Sequence, residues 1–269
     1  MKRWRPTPFV IISILLHVGV LAALPWAWVG AWWPWLLALV VGNHLLIMLV
    51  GLWPRSTWLG ANLRRLPADA VARREVAITI DDGPEPTVTP QVLQLLARHG
   101  AVATFFCIGD MAQREPELCR AIVAAGHELG NHGQQHRLDS SLMGLAGWRR
   151  EVGDGIATLR AITGQSPRFY RAVAGLRNPL LDPVLHQSGL QLASWTRRGF
   201  DTQCGDADVV LKRLIKGLDA GDVLLLHDGH AARTADGQPV ILAVLPRLLD
   251  ELARRHLKTV TLSQACKPL

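Results

Sequence analysis

The first 66 residues of this 269-residue chain contain no aspartate or glutamate, and between Arg5 and Arg55 no side chain carries a formal charge. Such a stretch is unsuited to a solvated surface and suits a hydrocarbon environment. Its few charges are all basic: Lys2, Arg3, Arg5, Arg55, Arg64 and Arg65. They account for most of the net +7, because the other 203 residues hold 23 basic and 22 acidic side chains. With the folded part close to neutral, the high net charge does not argue for a polyanion, which wants a basic face on the folded domain, so nucleic acid is not an expected partner. Cysteine is scarce as well. Cys107, Cys119, Cys204 and Cys266 show neither a C-x-x-C pair nor a zinc-type spacing, which excludes a thiolate metal site and leaves the redox compartment open. Cys107 lies in an apolar run and is expected in the core. No internal repeat or low-complexity tract stands out after the N-terminal segment.

What that segment does have is two long apolar runs, residues 9–24 and 35–53, each near the ~20 residues a membrane helix needs. Eight of the ten tryptophans fall in the first 58 residues, five of them in or just after the Pro- and Trp-rich stretch 25–34, a composition that suits the bilayer interface. The reading is a membrane anchor over 1–54, a hairpin of helices at about 8–24 and 35–53. A juxtamembrane linker over 55–74 and a catalytic domain over 75–269 follow. A cleaved signal peptide, a single span with an interfacial helix, and buried soluble helices are the competing readings. His17 and His44 lie inside the runs and are expected to pack rather than to ligate. Positive residues flank both outer ends of the hairpin and none lies in its turn. This pattern describes a multi-pass inner-membrane protein with its catalytic domain in the cytoplasm, whereas a single span would place that domain outside.

From Glu75 onward, β-type runs at 76–80, 103–108, 127–131, 169–171, 190–195, 223–226 and 259–262 alternate with stretches of helical period. The helical stretches are 87–98, 110–125, 142–162, 178–187, 206–218 and 240–255. Alternation of this kind means parallel strands, in a barrel or an open doubly wound sheet, with ligands at the strand C-termini. The polar outliers fall at those ends: Asp81, Asp82, His132, Arg171, Asp201 and His227.

Two motifs fifty residues apart carry the chemistry: Thr79-Ile80-Asp81-Asp82-Gly83-Pro84 and Asn131-His132-Gly133-Gln134-Gln135-His136. An H-x3-H pair opening a helix would put both imidazoles on one face, where one divalent ion bridges them. Asp82 is the natural third ligand, and three protein ligands leave a position for water. Asp81 points the other way along an extended strand and suits a general base. His227, after the apolar run Val223-Leu224-Leu225-Leu226, suits a general acid. Arg171 is expected to hold Asp81 ionised, and Asp201 to hold His227.

These motifs resemble those of the polysaccharide deacetylases of the NodB-homology type, carbohydrate esterase family 4, over roughly residues 75–265. The first is similar to T-F-D-D-G-P, whose two aspartates are base and metal ligand. The second is similar to N-H-[S/T]-x-x-H, the source of both metal histidines. Arg171-Ala172-Val173-Ala174-Gly175 resembles R-x-P-Y-G, whose Arg holds the base. Residues 195–201 and Leu225-Leu226-His227-Asp228 resemble the segments carrying the tuning Asp and the catalytic His. The resemblance implies an α/β fold, a distorted (β/α)7 barrel, here preceded by the transmembrane hairpin. It further implies removal of an N-acyl group, most plainly acetyl, from an amino-sugar glycan or glycolipid. Asp81, His227, Arg171 and Asp201 would be catalytic, and Asp82, His132 and His136 would hold zinc, or else cobalt, manganese or nickel. The backbone N–H at Ala174 would serve the oxyanion. Gly133, Val173, Ala174 and Thr202 depart from the family pattern at Ser/Thr, Pro, Tyr and Trp. A deformylase or deacetylase of a polyprenol-linked sugar, and an inactive tethered glycan-binding module, are the alternatives.

Overall fold

The computed structural model of the chain describes residues 3–266. It opens with two antiparallel helices, α1 (Pro8–Val29) and α2 (Trp33–Gly51). At 22 and 19 residues they span about 33 and 28 Å, and they are long and apolar enough to cross a bilayer. The turn between them is shorter than the sequence suggests, because α1 continues through Pro25. Proline removes one i→i−4 bond but leaves the rest of an apolar helix intact. Ser13 Oγ bonds to Asn43 Oδ1 at 3.1 Å, and His17 and His44 pack edge to face with ring centroids 5.0 Å apart.

The rest of the chain follows as α3 (Ala68–Ala72), β1 (Glu75–Asp81), α4 (Thr89–Arg98), β2 (Thr104–Cys107), α5 (Gly109–Arg114), α6 (Pro116–Ala124) and β3 (Glu128–Asn131). It continues with α7 (Leu145–Thr163), β4 (Phe169–Tyr170), α8 (Leu181–Gln187), β5 (Gln191–Leu192), β6 (Arg197–Arg198) and α9 (Ala207–Ile215). β7 (Val223–His227), α10 (Val240–Arg254), β8 (Lys258–Thr259) and α11 (Leu262–Ala265) complete it. All strand pairs are parallel, in the order β5-β4-β3-β2-β1-β7-β6, with β8 on the first residues of β1. The sheet curls into an incompletely closed (β/α)7 barrel.

Three elements depart from expectation. The helix expected over 110–125 is two helices, because Pro116 cannot continue the ladder and drives Glu115 out of the helical region. β6 was not anticipated, since Arg197-Arg198 has no apolar alternation. The run 259–262 holds strand only to Thr259, after which a capping box between Thr261 and Gln264 starts α11.

The period of two decides which side chains reach the site. In β1, Val76, Ile78 and Ile80 pack outward under the helices, while Ala77, Thr79 and Asp81 face inward. In β7, Leu224 and Leu226 point outward, and Val223, Leu225 and His227 alternate with them. The segment 55–74 is more than a linker. The Leu63 N–H donates to the Leu192 carbonyl, the Ser194 N–H to the Leu63 carbonyl, and the Leu66 N–H to the Gly221 carbonyl. Arg65 pairs with Asp222 at 3.0 Å. This strut runs from β5 to the foot of β7, where the barrel is open.

The hairpin is also tied to the barrel. Trp4 Nε1 donates to Asp182 Oδ2 at 2.8 Å, Phe9 packs on Trp58, and the Arg177 N–H donates to the Gly51 carbonyl at 3.2 Å.

Candidate active site

One cavity of about 410 Å³ opens at the C-terminal ends of the strands and is lined by Asp81, Asp82, His132, His136, Ala174 and His227. Asp81 and Asp82 both reach it. The strict alternation expected of an extended strand ends at Asp82, whose φ of +74° turns the chain and redirects its carboxylate. A non-glycine residue at such a φ is uncommon, and aspartate is among the residues that tolerate it.

Asp82 Oδ1 lies 3.2 Å from His132 Nε2 and 3.1 Å from His136 Nε2. The oxygen is buried and accepts no well-aligned hydrogen bond. Burial opposes ionisation of Asp82, but its contacts with His132, His136 and His230 outweigh this and hold it far below the usual carboxylate range. One ligand atom from each of Asp82, His132 and His136 lies within 4.8 Å of the other two. A divalent cation between them would satisfy all three, so the residues fit a metal. The other nitrogen of His132 lies 2.8 Å from the Arg171 carbonyl; donating there leaves Nε2 as a lone pair toward the centre.

The two histidines do not sit on a helix as the spacing suggested. They lie in the loop after β3, with Gly133 at φ +85° and His136 at +55°. Glu151 of α7 organises that loop, its Oε1 accepting from the N–H groups of Gln135 and His136 at 2.9 and 3.1 Å. A Cβ on Gly133 would meet this same oxygen at 2.4 Å. Glu151 thus occupies the room of the residue that the family pattern places at 133.

Arg171 is fully buried and every nitrogen of its guanidinium is engaged. NH1 donates to Asp81 Oδ1 and Thr79 Oγ1, each at 2.7 Å, Nε to the Ala193 carbonyl and NH2 to the Ser194 carbonyl. On the opposite side, Asp201 Oδ1 meets His227 Nδ1 at 2.9 Å and Oδ2 accepts the His227 backbone N–H at 2.7 Å. Burial pulls His227 down, but Asp201, with Asp81 and Asp82 beyond it, pushes the imidazole up to about 9. Ala174 stands in the 3-10 turn Val173–Gly175 at φ +52° and lines the cavity wall.

Sequence reasoning missed four participants. His230 approaches Asp82 Oδ2 at 3.3 Å and stacks on His136; the i+3 spacing from His227 was the available signal. Thr79 and Glu151 act through hydrogen bonds that no spacing reveals. Asp228 is fully buried, and burial pushes it up to about 7 against the hydroxyl of Thr89, which donates to it at 2.5 Å.

The polysaccharide deacetylase profile matches residues 68–193. Over 191 residues the chain is 34% identical to a peptidoglycan-N-acetylglucosamine deacetylase of Bacillus cereus, which covers 70% of this chain and 86% of that one. The chain belongs to the polysaccharide deacetylase family. This polysaccharide deacetylase is also 34% identical over 199 residues to a chitooligosaccharide deacetylase of Sinorhizobium fredii, covering 72% of this chain and 92% of its relative. Its fold matches a carbohydrate esterase family 4 pseudoenzyme of Bacillus anthracis with a TM-score of 0.68 at 20% identity, over 76% of this chain and 68% of that one. At such identity that likeness carries the fold alone. Family membership makes the protein a deacetylase, a hydrolase of acetylated carbohydrate.

Proposed function

We propose that the protein is a membrane-anchored, metal-dependent hydrolase that removes an N-acetyl group from an amino sugar in a glycan or glycolipid. The observation that carries this reading is the gathering of Asp81, Asp82, His132, His136 and His227 around one cavity. Asp82, His132 and His136 would hold a divalent ion, zinc first, and when bound it would supply Lewis-acid chemistry to the acyl carbonyl and to water. Asp81, oriented by its hydrogen bond from Arg171, takes a proton from the attacking water as the water oxygen bonds to the acyl carbon. The N–H of Ala174, a residue of the cavity wall, would donate to the developing oxyanion. His227, protonated through Asp201, gives its proton to the sugar nitrogen as the carbon–nitrogen bond breaks, and acetate and a free amine leave.

The test is acetate release from chitooligosaccharide by the full chain in micelles. Asp81→Asn and His227→Ala should each abolish it, and full activity in either sinks the assigned roles. The intact ligand and acid–base set speaks against an inactive binding module. A second reading, a polyprenol-linked sugar as substrate on the cytoplasmic face, is favoured by the packing of Gly175 in the Ala174 turn against Pro54 at the hairpin exit. The basic flanks of the hairpin agree with it. A topology reporter fused after Leu269 separates the two compartments.

A further inference from the structure

We propose that Arg198 binds a phosphate group of the substrate, which is then an amino sugar esterified through phosphate; this rests on the deacetylase reading above. Arg197 and Arg198 form β6 and point to opposite sides. The guanidinium of Arg197 is fully engaged, with Asp222 at 2.9 Å and with the carbonyls of Lys216 and Gly217. Arg198 lines the cavity and has no hydrogen bond or ion pair among the described residues. Its Nε is shielded from solvent without an acceptor, a costly state unless a ligand supplies one. Its guanidinium carbon lies 5.4 Å from the ring of Trp195 and 4.8 Å from that of Phe200. These faces hold the charge in place without using its in-plane N–H groups. A held, unengaged guanidinium fork matches the oxygens of a phosphate.

The residues just before Arg198 meet the chain that leaves the hairpin. Arg55 donates to the carbonyl of Thr196 at 3.4 Å, and Gly175 is wedged between Pro54 and Trp195. A phosphate linking sugar to a membrane-embedded polyprenol would arrive on this side. Thr202, where the family pattern has tryptophan, lines the same cavity with a hydroxyl in place of a ring and leaves room for it.

Calorimetric titration of the full chain in micelles with N-acetylglucosamine 1-phosphate and with N-acetylglucosamine tests the site. The phosphate ester should bind at least tenfold tighter. Arg198→Gln should erase that preference while leaving the neutral sugar unchanged, and Arg198→Lys, which keeps charge without the fork, should restore part of it. No preference in the wild type, or equal loss for both sugars in Arg198→Gln, overturns the proposal. Turnover identifies the source of the phosphate. A polyprenyl-phosphate-linked substrate should lose at least tenfold in kcat/KM in Arg198→Gln while chitooligosaccharide does not. Such a loss confined to a nucleotide-linked sugar overturns the lipid source. Phosphate-selective binding without hydrolysis of any substrate would overturn the deacetylase reading and leave the anion site standing.

Discussion

Asp81 and His227 are register partners on adjacent parallel strands, β1 and β7. Each ends its strand, each faces inward, and each is fixed from outside by a buried partner of opposite charge, Arg171 for one and Asp201 for the other. The sheet therefore sets the proposed base and the proposed acid side by side, with the Asp82 cluster against them.

The acid–base division predicts a pH profile. In the proposed mechanism His227 acts as the acid only while protonated, and its pKa, raised to about 9, keeps it so below that pH. Activity should fall as pH rises through the His227 pKa. Asp201→Asn removes the main charge that raises it, so the alkaline limb of kcat/KM should move to lower pH by roughly one unit or more.

Loss of the proposed base should have a different signature. Asp81→Asn should lower kcat by about 10²- to 10⁴-fold while leaving bound metal unchanged, read by acetate release and elemental analysis. Asp82→Asn should instead lose the metal. Dialysis against a chelator should reproduce that loss in the wild type, and added zinc should reverse it.

Gly133 and Glu151 form a matched pair. Gly133→Ser forces a Cβ against the Glu151 carboxylate at a left-handed backbone position and should cost about 1–3 kcal/mol in denaturant unfolding. Glu151→Ala in the same chain should recover part of it.

Gly175→Ala tests the coupling of the helical hairpin to the site. Its Cβ would meet Pro54 at 2.4 Å and Trp195 at 2.9 Å, pushing the Ala174 turn off its seat. A displacement near 1 Å should reduce kcat by up to about 100-fold with little change in metal content.

Much of this was legible in the sequence because strand ends in a parallel α/β fold converge on one rim. Asp81, His132, Arg171 and His227 could be placed there from periodicity alone. The turn at Asp82 was not legible, since a positive φ at aspartate has no compositional mark. The histidine loop misled for a related reason: H-x3-H reads as one helical face, yet Gly133 and the Glu151 carboxylate build an irregular loop that brings both rings together. Arg198 was hidden because two adjacent arginines look like solvated charge, and only the engagement of Arg197 and the stacking of its neighbour separate them.

The strut through Leu63, Arg65 and Leu66 bears on where this chain can be cut. It bridges the open side of the barrel from β5 to the foot of β7 and precedes the residues that the family profile matches. A fragment beginning at residue 68 or 75 would bare a strand edge and leave Asp222 without Arg65, the kind of surface that aggregates. A fragment beginning at residue 55 keeps the seam shut and leaves the hairpin behind.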